Sequence, residues 1–460
     1  MASDFEILDL EVPSINQEIL PQYPQNIQRF NVNEISYNDF YWLFMERNVP
    51  VVLEQVSTHW ECRNWVKSET AADSFDTSTT NKTSINYDYL KERIDNTLVP
   101  VANCGVEYFN SHAKSEMLFY DFLKYWQNEQ GNEHETNPTE LSNRKENSTD
   151  LLYLKDWHLK AQNPNYDFYK VPKHFASDWL NEHLLATNSD DYRFVYMGPK
   201  GTWTPFHSDV FGSFSWSTNI IGIKKWLLLP PGEELKLNDR LGNLPFCIDE
   251  QLLEEHNVHF YTLLQKENES LFVPSGWYHQ VSNVTDTISV NHNWFNACNL
   301  ERIWNNLSQQ MQRVMAEIDD CRQMDNFNDH CQTMLRASFG INYLDFIQLL
   351  QSITERRLIA RNNNTASDLT DNHHQQKTTT TRPLSSMSST SSPTLSSKLI
   401  FFDHYIPNDY HMQHDLQRIV QVVDSMLQDP VICDDRIVLY RKCIQLKETL
   451  TSSFIPSLLS

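Results

Sequence analysis

Between residues 151 and 295 the chain is a succession of short apolar, β-branched and aromatic runs, each closed by Pro, Gly, Asn or Asp. They read "LLYLKDWHL", "YRFVYMG", "NIIGIKKWLLLPP", "SLFVPSGWYHQV" and "DTISVNHNWF". No other feature restricts the fold as strongly. Many short strands separated by turn residues close into a β-sandwich or barrel, because no single run is long enough to bury a helical face. At residue 300 the period changes. Leu300, Ile303, Trp304, Leu307, Met311, Val314, Met315 and Ile318 follow helical spacing, and Phe346, Leu349, Leu350 and Ile353 resume it. The expectation is a mainly β protein with helices, with a β core over 151–299 and a helical extension over 300–360.

Flanking segments differ in texture. Residues 1–150 read as an N-terminal α/β region, with "SYNDFYWLFMERN" helical, "VPVVLEQV" a buried strand and "SEMLFYDFLKYW" helical. Two polar stretches, 68–84 and 128–150, have the composition of mobile surface loops. Residues 361–398, including "TTTTRPLSSMSSTSSPTLSS", read as a disordered linker. Residues 399–460 hold further amphipathic helices, one over about 408–428 ending before Pro430 and one over about 431–450.

Charge narrows the partners. The formal net charge is −23 with a pI near 5.1. That disfavours nucleic acid and anionic membrane surfaces. Nowhere do apolar residues run together long enough to span a bilayer. The amino terminus lacks a basic stretch followed by an apolar one, and the eight cysteines are scattered without a C-x-x-C. The expectation is a cytoplasmic or nuclear protein with reduced thiols and no zinc finger.

Chemistry-bearing residues lie within the β region. "TPFHSDV" places His207 and Asp209 two apart, on one face if the segment is a strand. Alone, such a pair is more often a surface feature. "VPSGWYHQV" adds His279 at the start of a later strand. Two histidines and a carboxylate form a set that holds a metal and leaves positions open, as a non-haem Fe(II) oxygenase requires. Zinc hydrolases use the same ligand types. The discriminator is an anion site. "GIKKWLLLPP" carries Lys224 and Lys225 in a buried run, and the one that turns inward needs a carboxylate. Thr204 can add a hydroxyl to the same anion, and Thr287, Ser289, Asn291 and Asn293 form a polar stripe on "DTISVNHNW".

"TPFHSD", "GIKKWLLLPP" and "PSGWYHQV" together resemble the JmjC-domain oxygenases of the cupin superfamily, hydroxylase type. "YLKDWHL", "YMGPKGTWTPFHSDVFGSFSWSTNIIGIKKW" and "PVVLEQVSTHW" extend the likeness over about residues 29–320. The resemblance implies a double-stranded β-helix (jelly-roll, cupin-like) core, with Fe(II) and O2 as requirements and 2-oxoglutarate as co-substrate. It implies His207, Asp209 and His279 as iron ligands, and Lys224 with Thr204 on the distal carboxylate of 2-oxoglutarate. It also places Asn291 or Asn293 near the co-substrate. Ser217 stands where some relatives carry a co-substrate-binding Asn, and spacing does not place the tyrosine that also touches 2-oxoglutarate. The implied reaction is hydroxylation of a lysine carbon in a protein, with the eukaryotic peptide-chain release factor as substrate. Alternatives are a histone lysine demethylase, a tRNA hydroxylase disfavoured by the charge, and a catalytically inactive JmjC scaffold. The amphipathic helices after 300 must bury their stripes, within the chain or in a homodimer.

Overall fold

The computed structural model describes residues 5–13, 22–69, 82–109, 111–134, 150–374, 402, 405–435 and 438–454. The chain forms two compact units. One comprises residues 14–175 and 190–294, the other 1–13, 176–189 and 295–460.

The first unit is built on two sheets, antiparallel except where Gln28–Asn31 pairs in parallel with Val51–Glu54. Its central strands are β1 (Leu152–Trp157), β2 (Arg193–Gly198), β3 (Trp203–His207), β4 (Phe214–Ile221), β5 (Lys224–Leu229), β6 (Tyr261–Gln265), β7 (Glu269–Val273), β8 (Tyr278–Asn283) and β9 (Thr287–Trp294). The smaller sheet has the order β3-β8-β5-β6. The larger runs β7-β4-β9-β2-β1, with Val51–Glu54 and then Gln28–Asn31 beyond β7 and the hairpin Leu98–Tyr108/Ser111–Leu118 beyond β1. This alternation of strands between two sheets is the jelly roll that the sequence resemblance implies. Leu271, Val273 and Val52 of the larger sheet meet Trp226, Leu228, Leu263 and Val281 of the smaller in one buried cluster between the sheets.

The smaller sheet is apolar on both faces, and the reason is local. Leu227, Leu229 and Phe206 pack outward against Ile248, Leu253 and Val258, beneath the short helix Glu250–Glu255. The β4–β5 turn needs Gly222: its φ is +89°, and a Cβ there would lie 2.0 Å from the Asp286 carbonyl oxygen.

Sequence and structure differ in the α/β region. The helix expected from Ser115 starts only at Phe119, because Ser111–Leu118 pairs as a strand with Leu98–Tyr108. Phe119, Phe122, Leu123 and Trp126 carry the buried helical stripe. That helix runs to His134, past the loop boundary expected at 128. The rest of that loop (135–149) and most of the 68–84 loop (70–81) lie outside the described residues.

The second unit is helical. Leu300–Glu317, Phe327–Phe339, Tyr343–His374, Asp409–Met426, Pro430–Asp434 and Leu439–Phe454 join Trp179–Ala186, with one two-stranded parallel pair, Glu6–Leu8 with Tyr405–Pro407. Leu300, Ile303, Trp304, Leu307, Met311 and Val314 are buried within this single chain, as are Phe346, Leu349, Leu350 and Ile353. Burial of these stripes therefore needs no second copy. Arg357, itself buried, bridges Glu182 at 3.0 Å and Asp415 at 2.9 Å, tying three helices through a desolvated ion cluster. The helix Tyr343–His374 continues into the segment expected as a linker from 361, and 375–398 lie outside the described residues. Among the described residues no helix is long and apolar enough to cross a membrane.

Candidate metal and co-substrate site

Two adjacent strands of the smaller sheet bring the histidines together. His207 on β3 and His279 on β8 are register partners, with ring centres 4.4 Å apart. Asp209 joins them by a route the sequence pattern did not anticipate. β3 ends at His207, and Asp209 sits in extended backbone just before the 3-10 turn Val210–Gly212, so the pair does not share a strand face. The chain leaving the strand swings the carboxylate back. One ligand atom from each of His207, Asp209 and His279 lies within 4.8 Å of the others.

The state of each group suits a cation. His207 Nδ1 lies 2.7 Å from the Pro205 carbonyl and His279 Nδ1 lies 3.0 Å from the Trp277 carbonyl. A carbonyl only accepts, so each Nδ1 carries the proton and each Nε2 keeps a free lone pair. Burial, and then the neighbouring His279, push His207 down to about 4, so it is neutral at physiological pH. Asp209 is oriented at both oxygens: Asn293 Nδ2 donates to Oδ1 at 2.8 Å and the Ser215 hydroxyl donates to Oδ2 at 2.7 Å. Such outer contacts fix a ligand's direction before a metal arrives. The donor set fits iron.

At the other end of the barrel interior stands Lys224, 2% exposed. Lys224 and His279 lie on one face of the smaller sheet: Lys224 opposes Asn283, Trp226 opposes Val281 and Leu228 opposes His279. Lys225 faces outward and pairs with Glu250 at 3.1 Å. Lys224 Nζ donates to Ser289 Oγ at 2.8 Å and to Tyr153 OH at 3.4 Å, and lies 5.6 Å from the centre of the Tyr196 ring. Among the described residues no carboxylate forms an ion pair with it. Burial, and then Lys155, lower it to about 7. A buried ammonium with only hydroxyl partners fits a carboxylate supplied from outside.

Other expected residues fall around these two points. The T-x-x-H spacing of three would put Thr204 and His207 on opposite faces of a regular strand. A bulge between them corrects this: Thr204 opposes Val281 while His207 opposes His279, and those partners share a face. Asn291 donates to Ser289 Oγ at 3.1 Å, on the Lys224 side. Asn293 instead serves Asp209, so the two asparagines of the stripe have different neighbours. Ser217 opposes Asn291, and its buried hydroxyl has no hydrogen-bond partner among the described residues.

Tyr153 was missed by spacing. It lies on β1, fully inside the barrel, and Gly198 makes room for it: a Cβ there would come within 2.5 Å of its ring. Nothing in the sequence links residue 153 to residue 224, because sheet closure alone brings β1 and β5 together. Ser215 was likewise without a local signal.

The JmjC domain, hydroxylase family matches residues 194–294. The Drosophila melanogaster protein named 2-oxoglutarate and iron-dependent oxygenase JMJD4 homolog is 52% identical over 427 residues, covering 92% of this chain and 92% of that one. The Mus musculus protein named 2-oxoglutarate and iron-dependent oxygenase JMJD4 is 42% identical, over 71% of this chain and 74% of its own. An Arabidopsis thaliana relative named Arginine-specific demethylase JMJ20 is 36% identical, over 70% of this chain and 68% of its own.

Proposed function

Because this chain belongs to the JmjC-domain family of 2-oxoglutarate and iron-dependent oxygenases, we propose that it is a protein lysyl hydroxylase, with the peptide-chain release factor of translation termination as its substrate. The observation that carries the enzymatic part is the pairing, in one barrel, of a three-ligand cluster with a buried lysine that has no carboxylate partner among the described residues. A scaffold has no need of either, since both raise the cost of folding. The choice of lysine and of the release factor rests on the sequence resemblance.

In this reading His207 and His279 hold iron through Nε2 and Asp209 through its carboxylate. Iron, 2-oxoglutarate and dioxygen together supply an oxidant that replaces C–H with C–OH while 2-oxoglutarate becomes succinate and carbon dioxide. The chain's own groups do the rest. Lys224, with Tyr153 and Thr204, holds the distal carboxylate, and Asn291 and Ser289 orient that lysine from the side. Asn293 and Ser215 keep Asp209 aimed, and the apolar wall of Trp226, Leu228 and Val281 excludes water. Fe(II), 2-oxoglutarate and O2 are the requirements of the family. The same reading places the enzyme in the cytoplasm, with the nucleus as a second location, where its eight free cysteines stay reduced.

Demethylation is the second reading, favoured by the Arabidopsis thaliana relative's name. The same oxidant acting on an N-methyl group gives an unstable hemiaminal and releases formaldehyde. One experiment separates the two. Release factor and methylated histone peptides are incubated with the protein, Fe(II) and 2-oxoglutarate, then analysed by mass spectrometry. A lysine of the release factor that gains one oxygen supports the hydroxylase; loss of methyl groups from the peptides, with no oxygen gained by the release factor, overturns it.

A further inference from the structure

Lys155 is a barrel lysine that the contacts above leave unused. β1 carries a bulge: Leu154 opposes Met197 and Trp157 opposes Val195, so Lys155 and Asp156 together face Tyr196. Asp156 takes the left-handed backbone, φ +60°, that lets the extra residue fit. Leu154 and Trp157 thus share one face of the sheet. Tyr153, Lys155 and Asp156 are left on the other, from which Tyr153 reaches Lys224. An unbroken strand would put Asp156 with Leu154.

Lys155 has no hydrogen bond or ion pair among the described residues, although it is half-buried. Its neighbour Asp156 is already committed, accepting from the Tyr196 hydroxyl at 2.8 Å and from Lys114 Nζ at 3.0 Å. The Lys155 charge reaches Lys224, whose basicity it lowers, and it does the same to His112. Lys155 and Lys224 thus share the barrel interior with two carboxylates: Asp156, whose charge supports Lys155, and Asp209, which sits among the histidines. Neither lysine forms an ion pair with them among the described residues. A desolvated ammonium without an ion pair is unfavourable until an anion enters.

We propose that Lys155 is a second cationic contact for the carboxylates of 2-oxoglutarate, alongside Lys224. The inference rests on the reading that this barrel binds 2-oxoglutarate. Its position on the Tyr153 face argues for the co-substrate rather than the substrate, since a cation there repels an incoming lysine side chain.

The test uses the full chain with Lys155→Met, which keeps volume and removes charge, and Lys155→Arg, which keeps charge. Two bindings are measured by calorimetry without oxygen: Mn(II) to the metal-free protein, and 2-oxoglutarate to the Mn(II)-loaded protein. Lys155→Met should weaken 2-oxoglutarate about tenfold, the size of one charge-assisted contact, with Lys155→Arg close to the unaltered chain. Mn(II) binding without co-substrate should stay level or tighten, because a cation facing the same barrel interior has been removed. A loosened barrel weakens both, so parallel loss of both affinities overturns the proposal. Equal 2-oxoglutarate binding by Lys155→Met and the unaltered chain overturns it alone. Failure of the unaltered chain to bind 2-oxoglutarate overturns the underlying reading as well.

Discussion

Asn48 and Ser275 exchange two hydrogen bonds across 227 residues: Asn48 Nδ2 donates to the Ser275 carbonyl at 2.9 Å, and the Ser275 N–H donates to Asn48 Oδ1 at 2.9 Å. Trp277 Nε1 adds a bond to the Asn48 carbonyl at 2.9 Å. The N-terminal segment thus clamps the turn from which His279 projects. The Ser275 hydroxyl also bonds the Gly212 carbonyl, which lies on the loop that carries Asp209. Asn48→Ala would leave a buried N–H and carbonyl unpaired, at a cost of about 2–4 kcal/mol. Chemical denaturation should show that loss, and Mn(II) titration a weaker site at temperatures where the variant remains folded.

Metal binding should follow the cluster and its supports in a graded way. Asp209→Ala removes a ligand and should abolish Mn(II) binding. Asn293→Ala only releases one oxygen of that carboxylate and should weaken binding about 10- to 100-fold, as other outer contacts do. Calorimetry on both variants checks the order; an Asp209→Ala protein that binds Mn(II) normally would refute the ligand assignment.

The two adjacent lysines should separate cleanly. Lys224→Ala loses a buried charge-assisted contact of about 1.5–3 kcal/mol, which raises the apparent 2-oxoglutarate constant about ten- to a hundredfold. Lys225→Ala loses a half-exposed pair with Glu250 and should change that constant little. Titration of 2-oxoglutarate against each variant decides; the assignment fails if Lys225→Ala is the weaker binder.

Co-substrate binding should be coupled to a proton. In the free protein Lys224 lies at about 7, lowered by burial and then by Lys155, and a bound carboxylate raises it. Below that pH the lysine is already charged and no proton is taken up. Above it, binding recruits one, and affinity falls by up to about tenfold per pH unit until the raised value is passed. Calorimetry in buffers of different ionisation heat should find proton uptake at about pH 8 and little at about pH 6.

Gly222→Ala tests the turn that launches β5. Its positive φ and the 2.0 Å approach to the Asp286 carbonyl leave no room for a methyl group. The expected loss is at least about 1–3 kcal/mol, read as a lower melting temperature together with weaker 2-oxoglutarate binding.

Much of this site is written locally. The β texture, the change of period at residue 300, His207, Asp209 and His279 all follow from neighbours a few positions apart, where alternation and turn chemistry act. The inward lysine was harder. Leu227 and Leu229 lie on the Lys225 face and Trp226 and Leu228 on the Lys224 face, so apolarity cannot separate them. The structure shows why: the outer face is itself roofed by Ile248, Leu253 and Val258. Only the resemblance to the family selected Lys224, the lysine of the two that is buried.

The sequence by itself determined where the strand-rich and helical stretches lie and which residues are candidate ligands, because each depends on periodicity and on φ preferences within a short window. Tertiary structure alone decided which distant groups meet. Tyr153 reaches Lys224 across 71 residues, Asn293 reaches Asp209 across 84, and Asn48 reaches Ser275 across 227. Two bulges, in β3 and β1, turn Thr204 and Asp156 toward the barrel interior against simple alternation. A bulge has no reliable local signature, since it is stabilised by the partner strand it distorts. Closure of the two sheets on each other therefore chooses these neighbours.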